Sequence, residues 1–136
     1  MAKTKAFEIA ELIRVFKYNT ATDEIETDKR TKDKNTKRGD ATKTSTDEFS
    51  LDTFAKADFR AARYIVAMSR GSSFHSTEIM LVHDGSSVTM TQYGTLKDAS
   101  LATFDADISG SDVRLRVTPA SATSTAIKFD RTVVEA

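Results

Sequence analysis

From residue 62 to residue 134 the chain alternates apolar and polar side chains in short runs cut by small-residue turns. Tyr64, Val66 and Met68 alternate with Ile65, Ala67 and Ser69. Successive side chains of a strand point to opposite sides, so this run predicts a strand with one buried face. Arg70 to Ser73 reads as a turn. Ser76 to His83 predicts the next strand, Asp84-Gly85 a hairpin turn, and Val88 to Tyr93 the returning strand. Leu101 to Ile108 sets Phe104, Ala106 and Ile108 against Thr103, Asp105 and Asp107. After a turn at Ser109-Gly110-Ser111, Val113, Leu115 and Val117 alternate with Arg114, Arg116 and Thr118. Pro119 to Ser124 forms a longer turn, and the last strand carries Ile127 and Phe129 inward. The expected core is Val66, Ile79, Leu81, Phe104, Leu115, Val117, Ile127 and Phe129. Upstream, Phe49, Leu51 and Thr53 share one face of a strand beginning near Asp47, with a short helical turn from Asp52 through Phe54 and Phe59 as the alternative.

Short strands at close spacing, with scarce helix signals, predict a mainly β fold: an antiparallel β-sandwich or jelly-roll-like domain over residues 47–136. Residues 1–27 form an N-terminal apolar extension. Phe7, Ile9, Leu12, Ile13 and Phe16 are too many large apolar side chains for a free tail. Ile9, Leu12, Ile13 and Phe16 would share a helix face, while the β-branched and aromatic residues from Ile13 to Tyr18 favour a strand. A short helical turn followed by a strand is expected, then a turn over residues 19–23 and a returning strand over residues 24–27. Residues 28–46 lack any large apolar side chain and carry seven Lys or Arg against three Asp. Such a segment buries too little apolar area to offset the entropy of ordering it. It reads as a basic linker or loop, or as an arm docking on an acidic neighbour through Lys29, Arg30, Lys32, Lys34, Lys37 and Arg38.

Lys plus Arg equals Asp plus Glu, 20 of each. A balanced chain argues against general nucleic-acid binding, which needs a strong positive field. The mean hydropathy of −0.39 and the lack of a long apolar run argue against a membrane span. With no cysteine, disulfides and thiolate metal sites are impossible. His75 and His83 sit at the two ends of one predicted strand, too far apart to share a metal, and are expected in turns or on the surface. Asp105 and Asp107 share a strand face, with Arg114 and Arg116 on the polar face of the neighbouring strand, so cross-strand charge pairing is expected rather than a calcium site. No nucleophile elbow, P-loop or dinucleotide fingerprint occurs. No enzymatic activity, cofactor or metal is expected.

Several phrases resemble a β-domain that recurs in structural proteins of tailed phages, especially those infecting marine cyanobacteria. They are Tyr64-Ile65-Val66, Ser76 to Ile79, His83-Asp84-Gly85, Tyr93-Gly94-Thr95, Phe104 to Ile108 and Val113 to Thr125, with a looser match over Lys5 to Leu12. The resemblance implies a non-enzymatic virion structural protein assembled in the host cytoplasm. Its partners would be other virion proteins, the major capsid protein or tail proteins, and further copies of itself. Within that class a capsid-decorating protein is expected, attached through Phe7, Ile9, Leu12, Ile13, Phe16 and the basic segment. The alternatives are a tail, baseplate or fibre component, or a module binding host-surface carbohydrate.

Overall fold

The computed structural model describes residues 16–19, 24–27 and 35–136, and its contacts divide the chain into two units at the boundary between residues 34 and 35. In the first unit, β1 (Phe16–Asn19) and β2 (Glu24–Thr27) pair antiparallel, with Phe16 opposite Thr27 and Asn19 opposite Glu24. Both strands agree with the sequence expectation. The helical turn expected before them lies outside the described residues.

The second unit is a mainly β, antiparallel two-sheet sandwich. One sheet has five strands in the order β3-β10-β5-β6-β7 and the other three in the order β4-β9-β8. The larger is built from β3 (Thr36–Lys43), β5 (Phe59–Arg70), β6 (Ser73–His83), β7 (Val88–Lys97) and β10 (Thr125–Glu135). The smaller is built from β4 (Phe49–Ala55), β8 (Ala102–Ser109) and β9 (Asp112–Pro119). Alternation sorts the side chains as the period of two requires. Tyr64, Val66 and Met68 face inward from β5, Ile79 and Leu81 from β6, Val113, Leu115 and Val117 from β9, and Ile127 and Phe129 from β10. The tight β5–β6 and β8–β9 hairpins turn at Gly71 and Gly110, both at positive φ, where a Cβ would be strained. The β6–β7 turn is wider. The Asp84 carboxylate accepts the backbone N–H groups of Ser86 and Ser87, at 2.8 and 2.7 Å.

Three sequence expectations are corrected here. Phe104 is half-buried at the margin of the core, edge-on to the His75 ring, not sealed within it. Thr53 is exposed, and Asp52 and Phe54 are buried in its place. A β-bulge at Leu51 causes this: Ser50 opposes Arg116 and Asp52 opposes Leu115, leaving Leu51 as the extra residue. Finally, residues 36–43, expected within a linker, form strand β3 along β10. Its side chains are too polar to drive burial, and the pairing is set by β10. The Phe129 ring lies across Gly39, where an added Cβ would stand 2.5 Å from Phe129 Cζ.

Candidate partner interface

Asp52 reaches into the sandwich from β4, and its buried carboxylate ties the two sheets together. It accepts hydrogen bonds from the Tyr64 hydroxyl at 2.9 Å, Arg131 at 2.7 Å and Lys37 at 2.6 Å. These partners come from β5, β10 and β3. Burial first, and the Asp52 charge second, push the Tyr64 phenol well above its ordinary range, so it stays protonated and donates. Arg131 also bonds the Thr53 carbonyl at 3.3 Å and lies 5.7 Å from the centre of the Phe54 ring. Its Nε has no partner among the described residues. Breaking a buried pair of this kind by removing one partner costs about 3–5 kcal/mol, because the other charge stays buried. The network therefore has a structural task.

The histidines do not sit in turns or on the surface. Both are buried, because their odd positions on β6 share the inward face with Thr77, Ile79 and Leu81. His83 Nδ1 accepts the Gly85 N–H at 3.0 Å, so its Nε2–H is the donor to the Phe59 carbonyl, 2.7 Å away. His75 Nδ1 accepts the Leu101 N–H at 3.2 Å, and its Nε2 has no partner among the described residues. Burial, and then the charge of Lys97, hold the His75 pKa below the ordinary imidazole value. The expected carboxylate–guanidinium pairing is present for Asp107, which takes Arg114 at 2.7 Å and Arg116 at 3.3 Å. The Arg114 hydrogen bond, foremost, holds this carboxyl below its ordinary range. Arg116 also pairs with Glu48 at 2.6 Å. Asp105 instead accepts the backbone N–H of Ala106.

The outward side of the five-stranded sheet offers different chemistry. Phe74 is 62% exposed and Leu96 76%, and Ile65, Met80, Val82 and Tyr93 are also exposed. Glu78 lies among them, held below its ordinary pKa by the Tyr93 hydroxyl and then by Arg63, whose Nη2 stands 3.0 Å from the carboxylate. A second charged row runs alongside, where Arg38 pairs with Asp130 at 3.2 Å and Lys128 stands opposite Asp40. Exposed apolar side chains gathered on one sheet face mark an interaction surface when they adjoin one another. The cross-strand register makes Tyr93 a neighbour of Glu78, and Leu96 a neighbour of Ser76.

The sheet edges differ in their protection. Natural edges are blunted by charges, bulges or inward-pointing ionic groups. β3 carries Lys37, Arg38, Asp40 and Lys43; β8 carries Asp105 and Asp107; β4 has its bulge and the inward Asp52. β7 has one charge, Lys97 at its end, and no proline, and its bulge at Gly94-Thr95 leaves the run from Val88 to Tyr93 regular and uncharged. From Thr89 onward every β7 side chain but Met90 is exposed, because the three-stranded sheet is too narrow to cover this edge.

The attachment residues read from sequence fall in different places. Phe7, Ile9, Leu12, Ile13, Lys29, Arg30, Lys32 and Lys34 lie outside the described residues, and only the backbone of Phe16 is described. Lys37 is drawn into the Asp52 pair, while Arg38 remains exposed beside Asp130. The β7 edge and the outer apolar residues were passed over. The signal was present in the near absence of charge from Val88 to Leu96.

No family model matches the chain, and no curated protein matches it. Three solved structures show a partial likeness to it. They are the tailspike of Acinetobacter baumannii phage AM24 (10% identity, TM-score 0.40, 75% of this chain and 26% of that one), the tailspike of Acinetobacter phage vB_ApiP_P1 (17%, 0.45, 75% and 22%), and tailspike gp49 of A. baumannii bacteriophage Fri1 (14%, 0.32, 74% and 20%). The chain thus spans about a quarter or less of each neighbour's length. All three are phage tailspike proteins; none is described as a capsid-decorating protein or as coming from a phage of marine cyanobacteria. The expectation of a protein without enzymatic activity is corrected at this point. The Fri1 tailspike is described as a capsular polysaccharide depolymerase, an enzyme, and the non-enzymatic reading is withdrawn. That activity is stated of the Fri1 protein.

Proposed function

We propose that the chain is a tail-associated structural component of a tailed-phage virion, in which the sandwich joins neighbouring subunits through the outer side of its five-stranded sheet and the β7 edge, which no described strand covers. The observation that carries this reading is β7: ten residues long, almost uncharged, and exposed on both faces beyond Met90. An edge of this kind is a template for strand addition. The phrases resembling virion structural proteins, Ser76 to Ile79 and Tyr93 to Thr95, fall on β6 and β7 themselves. The capsid placement expected from the sequence is not carried forward. The N-terminal residues Phe7, Ile9, Leu12, Ile13 and Phe16 supply the attachment in this reading, and the basic residues from Lys29 to Arg38 flank it.

Gold-labelled antibody against the sandwich, imaged on purified virions, tests the placement. Label on the tail is expected. Label on the head, or none on intact particles, overturns it.

A further inference from the structure

We infer that β7 is a self-recognition edge: two copies of this chain join β7 to β7, antiparallel, across a twofold axis at Thr91, making one continuous ten-stranded sheet. The inference rests on the reading of β7 as an assembly edge and names its partner. A continuous sheet requires facing residues to point to the same side. On β7, Val88, Met90 and Gln92 point inward with their β6 partners His83, Leu81 and Ile79, while Thr89, Thr91 and Tyr93 point outward with Val82, Met80 and Glu78. Centring the pairing on Thr91 keeps these sides matched. It sets Thr91 against its own copy, Met90 against Gln92, and Thr89 against Tyr93. Threonine opposite threonine or an aromatic residue is a favourable cross-strand pair.

Electrostatics select a second copy over a charged partner. A strand laid on itself opposes like charges wherever a charge sits near its centre. The only β7 charge, Lys97, lies six positions from Thr91, so the twofold carries the two lysines to opposite ends of the junction. The other exposed ionic groups of the outer face come as opposite pairs, Arg63 with Glu78, Arg38 with Asp130 and Lys128 opposite Asp40, so two copies meet without a net repulsive field. The bulge where Gly94 and Thr95 oppose Thr77 ends the regular part of the strand and sets the limit of the junction. A twofold, isologous contact also closes on itself and leaves no further β7 edge to propagate.

The absence of native cysteine gives a clean test in the full-length protein. Facing residues of an antiparallel pair stand about 4.5–5.5 Å apart at Cα, within the range that a disulfide bridges. Thr91→Cys should therefore crosslink to a covalent dimer under mild oxidation. Thr89→Cys should not, because its own copy is four residues away, roughly 13 Å along the strand. Thr91→Lys should lower the dimer fraction at least tenfold in light scattering while leaving thermal unfolding of the dilute protein unchanged, since residue 91 is exposed. A wild-type monomer at all concentrations, a dimer indifferent to Thr91→Lys, or equal crosslinking at both positions overturns the inference. A dimer found on a protein that labels the head would sink the tail reading alone, and a monomer labelled on the tail would sink this inference alone.

Discussion

At the scale of single residues, polarity and position gave conflicting signals, and position won. Asp52, His75, His83 and Arg131 are ionisable, which argues for the surface, yet each is buried. For His75, His83 and Arg131 the alternation of β6 and β10 already placed them inward, beside Ile79 and Ile127. The weight given to polarity hid them. Partners from distant strands make the burial tolerable, and no local reading of sequence reveals such partners. The tolerance is incomplete at two of them, where His75 Nε2 and Arg131 Nε have no partner among the described residues. At His75 this has a consequence for pH. The ring faces Lys97 in register on β7, Met68 on β5 and Phe104 on β8, and no acid lies among these neighbours. Its folded pKa is depressed, so the unfolded chain binds the extra proton first as pH falls. The stability tied to the neutral ring is fully present above about pH 6.5 and is lost below it, until the folded ring also protonates. Thermal unfolding followed from pH 7.5 to 5 should show the midpoint falling below pH 6.5, and His75→Leu should flatten that limb. An unchanged slope in the variant would assign the pH response elsewhere.

Elements were read best where both their faces were informative. β5, β6, β9 and β10 each bury one face and leave the other more open, so alternation marked them and located their turns. β4 was read correctly as far as its bulge, with Phe49 opposite the buried Val117 and both Phe49 and Leu51 against the core, and inverted beyond it, where Thr53 turns out and Phe54 in, because a bulge leaves no mark in composition. β3 was invisible for another reason. Its ladder bonds come from β10, a strand more than eighty residues away, and strand formation here does not depend on its own apolar content. The bulge makes a prediction specific to β4. Deleting Leu51 leaves Ser50 opposite Arg116 and Asp52 opposite Leu115, so every inward residue keeps its face. Deleting Thr53 moves Phe54 opposite Arg114 and turns its ring outward. The first deletion should cost about 1.5–3 kcal/mol at most, the value of one large apolar side chain. The second should cost at least about 3–5 kcal/mol, the range for emptying a core aromatic site. Denaturant midpoints of the two deletions, compared side by side, check the order. If removal of Thr53 proves the milder change, the register of β4 is wrong.

For the whole molecule, the boundary between the N-terminal segment and the sandwich decides what can be cut away. Composition sets that boundary near residue 46, where the basic polar stretch ends. Pairing sets it at Asn35, whose carbonyl accepts the Val133 N–H at 2.9 Å just before β3 begins. The two boundaries predict opposite outcomes. A chain starting at Asn35 keeps β3 along β10, keeps Gly39 beneath the Phe129 ring, and keeps Lys37 on Asp52. It should unfold at nearly the same temperature as the full protein. A chain starting at Asp47 loses all three. It bares the β10 edge, uncovers Phe129, and removes one of the two cations that neutralise Asp52. An edge left open beside an exposed aromatic ring is a site for aggregation. The shorter chain should therefore be less stable by several kcal/mol, and less soluble, although it retains nearly all the apolar residues of the core. In the reading proposed here, the chain starting at Asn35 should also fail to enter particles, since Phe7, Ile9, Leu12, Ile13 and Phe16 are gone. Equal stability of the two truncations would reduce β3 to a passive passenger on the sheet. Normal incorporation of the longer truncation into virions would move the attachment onto the sandwich itself.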